Sequence, residues 1–229
     1  MMSEKVKYEL ESGVALIVLD DGKANALSHE VLDAFGEALD QSERDKAGAV
    51  VVAGRPGRFS AGFDLSVMQG GGREAVQLLA QKGAHIGARI FDSSVPVVFG
   101  VTGHALAMGA VLCLAADVRI GARGDYKLGL NEVAIGMALP PFAMILAEER
   151  ISRRYLTRAT AHAEIFDPES ATEVGYLDWV VDEGDVTEAA VRHARVLSEK
   201  LNAKAHRRTK ADLRKSASDR LRATVGSIS

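Results

Sequence analysis

Residues 96–142 read PVVFGVTGHALAMGAVLCLAADVRIGARGDYKLGLNEVAIGMALPPF, and the reading of this stretch decides the fold. Pro96–Val101 is a short apolar run of the kind a buried strand uses, and Gly103 and Gly109 bracket a tight turn. MGAVLCLAA, Met108–Ala116, continues as a helix too apolar to face water. A strand that feeds a helix N-terminus leaves backbone N–H groups free at the turn, and such groups are well placed to hold a negative oxygen. Glu132 follows in LGLNEVAIGM (Leu128–Met137), a segment too apolar to be an ordinary solvated loop.

Working outward, residues 6–45 read as strand, turn, strand, loop, helix. Val14–Leu19 is a continuous apolar run, as a covered strand requires. Ser28 is a good N-cap, Glu30 sits in the positive first turn, and Val31, Leu32, Phe35 and Leu39 share a helical face. Residues 48–54 (GAVVVAG) form another buried strand, so strands alternating with helices predict an α/β chain with parallel pairing. In the loop Arg55–Leu65, Ala61 and Gly62 let the backbone approach a ligand; the alternative is a turn in which Ser60 or Asp64 only caps the next helix. Arg55 and Arg58 read equally well as solvated charges. Gly70–Gly72 is a joint, either a flap or a linker, before a helix over residues 73–93. His85 and His104 are read as surface or packing residues.

Downstream, Pro140-Pro141 seeds a helix over 142–149 with Phe142, Ile145 and Leu146 as its apolar stripe. Arg150, Arg153, Arg154 and Arg158 read as a solvated face ahead of a phosphate site. Asp167–Ser170 starts another helix, Tyr176–Val181 reads as a short strand, and residues 185–225 are helical and charged. The expected organisation is a core over 1–185 and a helical region over 186–229 that packs on the core or on a neighbouring subunit.

With 229 residues and an apolar fraction of 47%, one domain with a full core is expected. A formal net charge of −3 argues against general affinity for nucleic acid or anionic membrane. The single cysteine, Cys113, lies in an apolar run and reads as a buried, inert thiol. The six histidines show no ligand-like spacing, so no metal site is expected. No secretory leader and no run of about twenty apolar residues is visible, which points to a cytoplasmic protein.

Four segments carry a resemblance: Asn25–Leu27 (NAL), Phe59–Leu65 (FSAGFDL), Gly103–Asp117 (GHALAMGAVLCLAAD) and Leu128–Met137 (LGLNEVAIGM). In this order and approximate spacing the chain resembles the crotonase, or enoyl-CoA hydratase/isomerase, superfamily, from the first strand to about residue 185. The resemblance implies a crotonase-like spiral of ββα units with a helical C-terminal region mediating trimerisation, as a homotrimer or hexamer. It implies an acyl-CoA thioester substrate and no separate cofactor, coenzyme A being part of the substrate. It also implies an oxyanion hole from the backbone N–H groups of Phe63 and Met108, where preorganised donors each lower a barrier by about 3–4 kcal/mol. Substrate contacts are implied at Lys23, Ala24, Ala26, Ala61, Gly62, Asp64, Leu65, Gly109 and Asn131, with Lys23 and the basic run His206–Lys210 as candidates for the CoA phosphates.

The carboxylates depart from the hydratase pattern. Hydratases of the family carry two glutamates, and the first position is Val111 here. The second is Glu132, in a GLNE context similar to the mitochondrial-type Δ3,Δ2-enoyl-CoA isomerases. A lone carboxylate suits a 1,3-proton shift better than the orientation of water. The resemblance therefore implies an isomerase with Glu132 as its single acid/base, ahead of a hydratase or another crotonase-type enzyme, and ahead of an acyl-CoA-binding protein without turnover. Asp64 and Asp117 are read as structural.

Overall fold

The computed structural model describes residues 3–227. The chain opens with strands β1 (Val6–Glu11) and β2 (Val14–Leu19), then β3 (Ala26–Leu27) and helix α1 (His29–Arg44). Strands β4 (Ala49–Gly54), β5 (Gly57–Ser60) and β6 (Gly62–Phe63) precede α2 (Leu65–Gly70) and α3 (Gly72–Phe91). Next come β7 (Val97–Val101), β8 (Gly103–Leu106), α4 (Met108–Ala115), β9 (Val118–Ala122) and β10 (Leu128–Gly129). The remainder is α5 (Pro141–Arg150), α6 (Leu156–Ala159), α7 (Pro168–Val174), β11 (Trp179–Val181), α8 (Val186–Lys200) and α9 (Ala203–Ser227).

The main sheet runs β1-β2-β4-β7-β9-β11, antiparallel only at β1–β2 and parallel elsewhere. Ser12 and Gly13, both at positive φ, make the tight hairpin that joins β1 to β2. Along β4, Val50 and Val52 join the large core with α1 and α3, while Ala49 and Val51 face Ala190 and Ala194 of α8. The strand is buried on both faces, which is why it reads as unbroken apolar sequence. Small sheets β10-β8-β5 and β3-β6 stack beside the main one and carry the loops described below. Ser28 caps α1 by accepting from Val31 N, as its position predicts.

Helix α9 buries Ala217 and Leu221 in the core and is further fixed by charge. Asp117, just past the end of α4, accepts from Val97 N at 2.7 Å, Lys210 Nζ at 2.7 Å and Arg214 Nη2 at 2.7 Å. Arg214 also donates to Phe91 O at 2.6 Å, satisfying the carbonyl at the end of α3, and its guanidinium lies 4.4 Å over the Phe91 ring. Burial pulls the Lys210 ammonium down to about 8 against the opposing pull of Asp117, with the Arg214 charge adding to the fall.

Three sequence expectations change. Arg150 is not solvated: its guanidinium donates to Leu114 O at 3.3 Å and Ala116 O at 2.7 Å, capping α4. The strand expected over Tyr176–Val181 begins only at Trp179, because the N–H groups of Gly175, Tyr176 and Leu177 all turn back to Ala171 O at the end of α7. The charged tail divides into two helices, and α8 is a cover for the second face of the sheet.

The Asp117 cluster is testable. Asp117→Asn leaves two buried cations without a counter-charge and should lower the unfolding free energy by about 3–5 kcal/mol in urea titration. Arg158→Ala, which breaks an exposed pair with Glu164 and a surface contact of the guanidinium with the Tyr155 ring, should change the midpoint far less.

Candidate active site

The site begins with the loop that carries the expected contacts Lys23, Ala24 and Ala26. Burial works against the Asp21 carboxylate, yet backbone N–H groups of Ala26, Asn25 and Lys23 donate to it and hold it below the usual carboxylate range. Asn25, only 2% exposed and at a φ of 51°, sends its amide group to the carbonyls of Leu19 at 2.7 Å, Arg58 at 3.0 Å and Phe59 at 3.2 Å. Ser60 Oγ donates to Asn25 O at 2.8 Å and accepts from Gly62 N at 3.1 Å. Asn25 and Ser60 thus set the β3–β6 register, Ala26 opposite Gly62 and Leu27 opposite Phe63. Ala24 O receives Ala61 N at 3.1 Å, so the segments 23–26 and 61–65 run together. The sequence reading places Asn25 within the segment expected along CoA and Ser60 only as a possible helix cap; the buried side-chain bonds of both, and Asp21, are additions of the structure. An asparagine between two alanines was the available signal, since Asn is among the few side chains tolerated at positive φ.

The start of α4 lies against β6 at a spacing only glycine allows. A Cβ on Gly62 would meet the Ala107 Cβ at 2.8 Å and Met108 N at 3.2 Å. One on Gly109 would meet Ser60 O at 2.5 Å. Ala107, at φ 49° and ψ −126°, turns β8 into α4 in a conformation costly for a residue with a Cβ. It is held by Ala107 N to Gly129 O and Val111 N to Ala107 O, both at 3.0 Å. Met108 is the first residue of α4, so its N–H has no partner within the helix. The side chains of Phe63 and Met108 converge on Gly83 of α3, where a Cβ would lie 2.6 Å from Phe63 Cζ and 3.2 Å from Met108 Cε.

Strand β10 pairs with β8, Leu128 opposite Ala105 and Gly129 opposite Leu106, and so delivers the next residues beside that turn. Glu132 opens a 3₁₀ turn over Val133–Ile135, is 8% exposed, and its Oε2 has no hydrogen-bond partner. Asn131 Oδ1 is likewise buried and unpartnered. Burial pushes the Glu132 carboxyl above its ordinary range, and the only opposing influence is its own backbone N–H. Val111, 1% exposed on α4, brings no charge.

The remaining expected residues fall into different places. Asp64 caps α2, accepting from Ser66 N at 2.8 Å and Ser66 Oγ at 2.6 Å, while Leu65 is 64% exposed. The Lys23 side chain is exposed, and its carbonyl accepts from Arg55 Nη1 at 2.8 Å. Lys210 is removed from the candidates for a CoA phosphate, because it is buried against Asp117; Arg208 of the same run pairs with Asp212. His104 Nδ1 accepts from Lys127 N and its ring meets Tyr126 edge-on at 5.2 Å, a packing role, and His85 is exposed. Burial pushes the Cys113 thiol up to about 12, so it stays an inert thiol. Among the described residues no group of His, Cys, Asp and Glu is arranged to hold a metal. A surface hollow of about 490 Å³ between α1, α3, α8 and α9 includes neither Glu132 nor the start of α4.

A sequence profile of the enoyl-CoA hydratase/isomerase family matches residues 9–226. The chain belongs to that family. A solved enoyl-CoA hydratase/isomerase family protein from Pseudomonas syringae is 41% identical, superposes with a TM-score of 0.94, and is matched over 99% of this chain and 97% of its own. Human mitochondrial enoyl-CoA delta isomerase 1 is 32% identical over 94% of this chain and 72% of its own length. A protein of Bacillus subtilis described as a probable enoyl-CoA hydratase is 32% identical over 85% of this chain and 76% of its own. The fold is accordingly the crotonase fold, and these relatives carry both activities in their descriptions.

The close approach at α4 gives a prediction. Gly109→Ala should lower stability by about 1–3 kcal/mol, since its neighbour is backbone and cannot swing away. Gly70→Ala, with open space around it, should not. Thermal melts of the two variants check this.

Proposed function

We propose that this protein is a Δ3,Δ2-enoyl-CoA isomerase in which Glu132 acts alone as acid and base. The observation that carries the reading is the isolation of that carboxylate: buried, with one oxygen unpartnered, beside α4, where Val111 replaces a second glutamate. The thioester oxygen sits against the N–H groups of Phe63 and Met108. Glu132 takes a proton from C2, the negative charge passes to that oxygen as an enolate, and the same carboxyl returns a proton to C4. The double bond then lies between C2 and C3. Preorganised N–H donors stabilise the charge where it develops, and an apolar surrounding makes the carboxylate a stronger base than it is in water.

Coenzyme A runs along the paired segments Lys23–Ala26 and Ala61–Leu65, with Gly109 and Asn131 shaping the reacting end. Of the expected set, the exposed Lys23 and Arg207 remain suited to a CoA phosphate. An acyl-CoA substrate and an oligomeric assembly, trimer or hexamer, are consistent with the family.

The test is Glu132→Gln assayed on a 3-enoyl-CoA. Turnover should fall by about 10²–10⁴-fold. In the wild type, the rate should decline on acidification with a midpoint above the ordinary glutamate value, because the ionised form is the base. Stability should run the opposite way. A carboxyl whose native value is raised stabilises the fold fully below its unfolded value and loses that contribution as pH rises through the native one. Glu132→Gln should therefore melt higher than wild type at neutral pH, with the gap closing in acid. Full activity of the variant would remove Glu132 from the mechanism.

A further inference from the structure

Tyr176 is fully buried; the Leu130 N–H is directed at its hydroxyl oxygen, but the hydroxyl proton has no acceptor within hydrogen-bond distance. A phenylalanine would fill the same space without burying a hydroxyl, which costs about 1–3 kcal/mol when left unpaired. Its ring lies 6.2 Å from that of Phe166. Phe166 exchanges both backbone hydrogen bonds with Leu128, each at 2.9 Å, on the strand that leads into Glu132. Cys113 of α4 belongs to the same buried core. Tyr176 therefore packs behind β10, close enough to the Leu130 N–H and to Glu132 for both to act on its hydroxyl.

The buried, unpartnered atoms here are chemically complementary. Glu132 Oε2 and Asn131 Oδ1 accept, whereas the Tyr176 hydroxyl can donate. Burial first, and then the Glu132 charge, push the phenol up, so it keeps its proton and remains a donor. The only other titratable group acting on the pair is Cys113, whose thiol is pushed up to about 12 and is neutral under the same conditions.

We infer that Tyr176 is a positioning residue for Glu132: its hydroxyl donates a hydrogen bond that reaches the ionised carboxylate through one bridging water. The bond holds one carboxylate oxygen, leaving the other aimed at the substrate. Its kinetic consequence rests on Glu132 being the base of the proposed reaction. Its effect on the ionisation of Glu132 does not.

The experiment uses four full-length proteins: wild type, Tyr176→Phe, Glu132→Gln and the double variant. Their unfolding free energies are measured from about pH 5 to pH 8. The difference between each protein and its Glu132→Gln counterpart reports where Glu132 titrates in the fold. With the tyrosine replaced, the ionised carboxylate loses a donor, so this difference should keep growing to higher pH and be larger at neutral pH. Superimposable differences in the two backgrounds would overturn the inference, even if Tyr176→Phe lowers the overall stability. In the kinetic arm, Tyr176→Phe should lower kcat/KM on a 3-enoyl-CoA about tenfold on the acid side, with KM little changed and the loss shrinking as pH rises. A uniform loss at every pH would indicate a purely structural role. If the wild type fails to turn over a 3-enoyl-CoA, the isomerase reading falls while the stability comparison still decides the role of Tyr176.

Discussion

The geometry around Glu132 depends on two stretches of backbone lying against one another with no side chain between them. Gly62 meets the turn at Ala107–Met108, and Gly109 meets the carbonyl of Ser60. Contact this close leaves little freedom for either segment. The strained turn at Ala107 persists because hydrogen bonds from both sides fix it, Ala107 to Gly129 and Val111 to Ala107. Behind the contact, Asn25 and Ser60 tie three loops together through buried hydrogen bonds. The N–H at the start of α4 is therefore held in place before any ligand arrives, which is what makes a backbone donor effective.

A second constraint runs between stability and chemistry. Glu132 is buried with an oxygen unpartnered, a state that works against folding when the group is charged. In the proposed reaction the same burial makes the group a stronger base. Elsewhere the chain treats its buried charges differently: Asp117 is met by Lys210 and Arg214, and Arg119 by Asp178 at 2.9 Å. The contrast separates a charge that holds helices together from one left available for reaction.

Much of the arrangement was legible in the sequence because it is local. The apolar run at Val97–Val101, the glycines at 103 and 109, and Glu132 in an apolar segment gave the strand, the turn, the helix and the isolated carboxylate. The family resemblance added the order of the parts, and the profile match and superpositions agree with it. What stayed hidden was long-range. Nothing local distinguishes Lys210, buried against Asp117, from the exposed cations beside it. Arg150 looks like one more arginine in a basic run until α4 ends beside it. Tyr176 has the pattern of a strand residue, and only the cap at the end of α7 turns it into the core.

The central claim is that one carboxylate, without a second base to activate water, limits this site to moving a double bond. The most direct measurement is a side-by-side assay of the purified wild type with a 3-enoyl-CoA and a 2-trans-enoyl-CoA, following double-bond migration and water addition separately. Fast conversion of the first with negligible hydration of the second is the predicted result. Efficient hydration of the 2-trans-enoyl-CoA would contradict the account, since it would require another group to do what a glutamate at the position of Val111 does in hydratases.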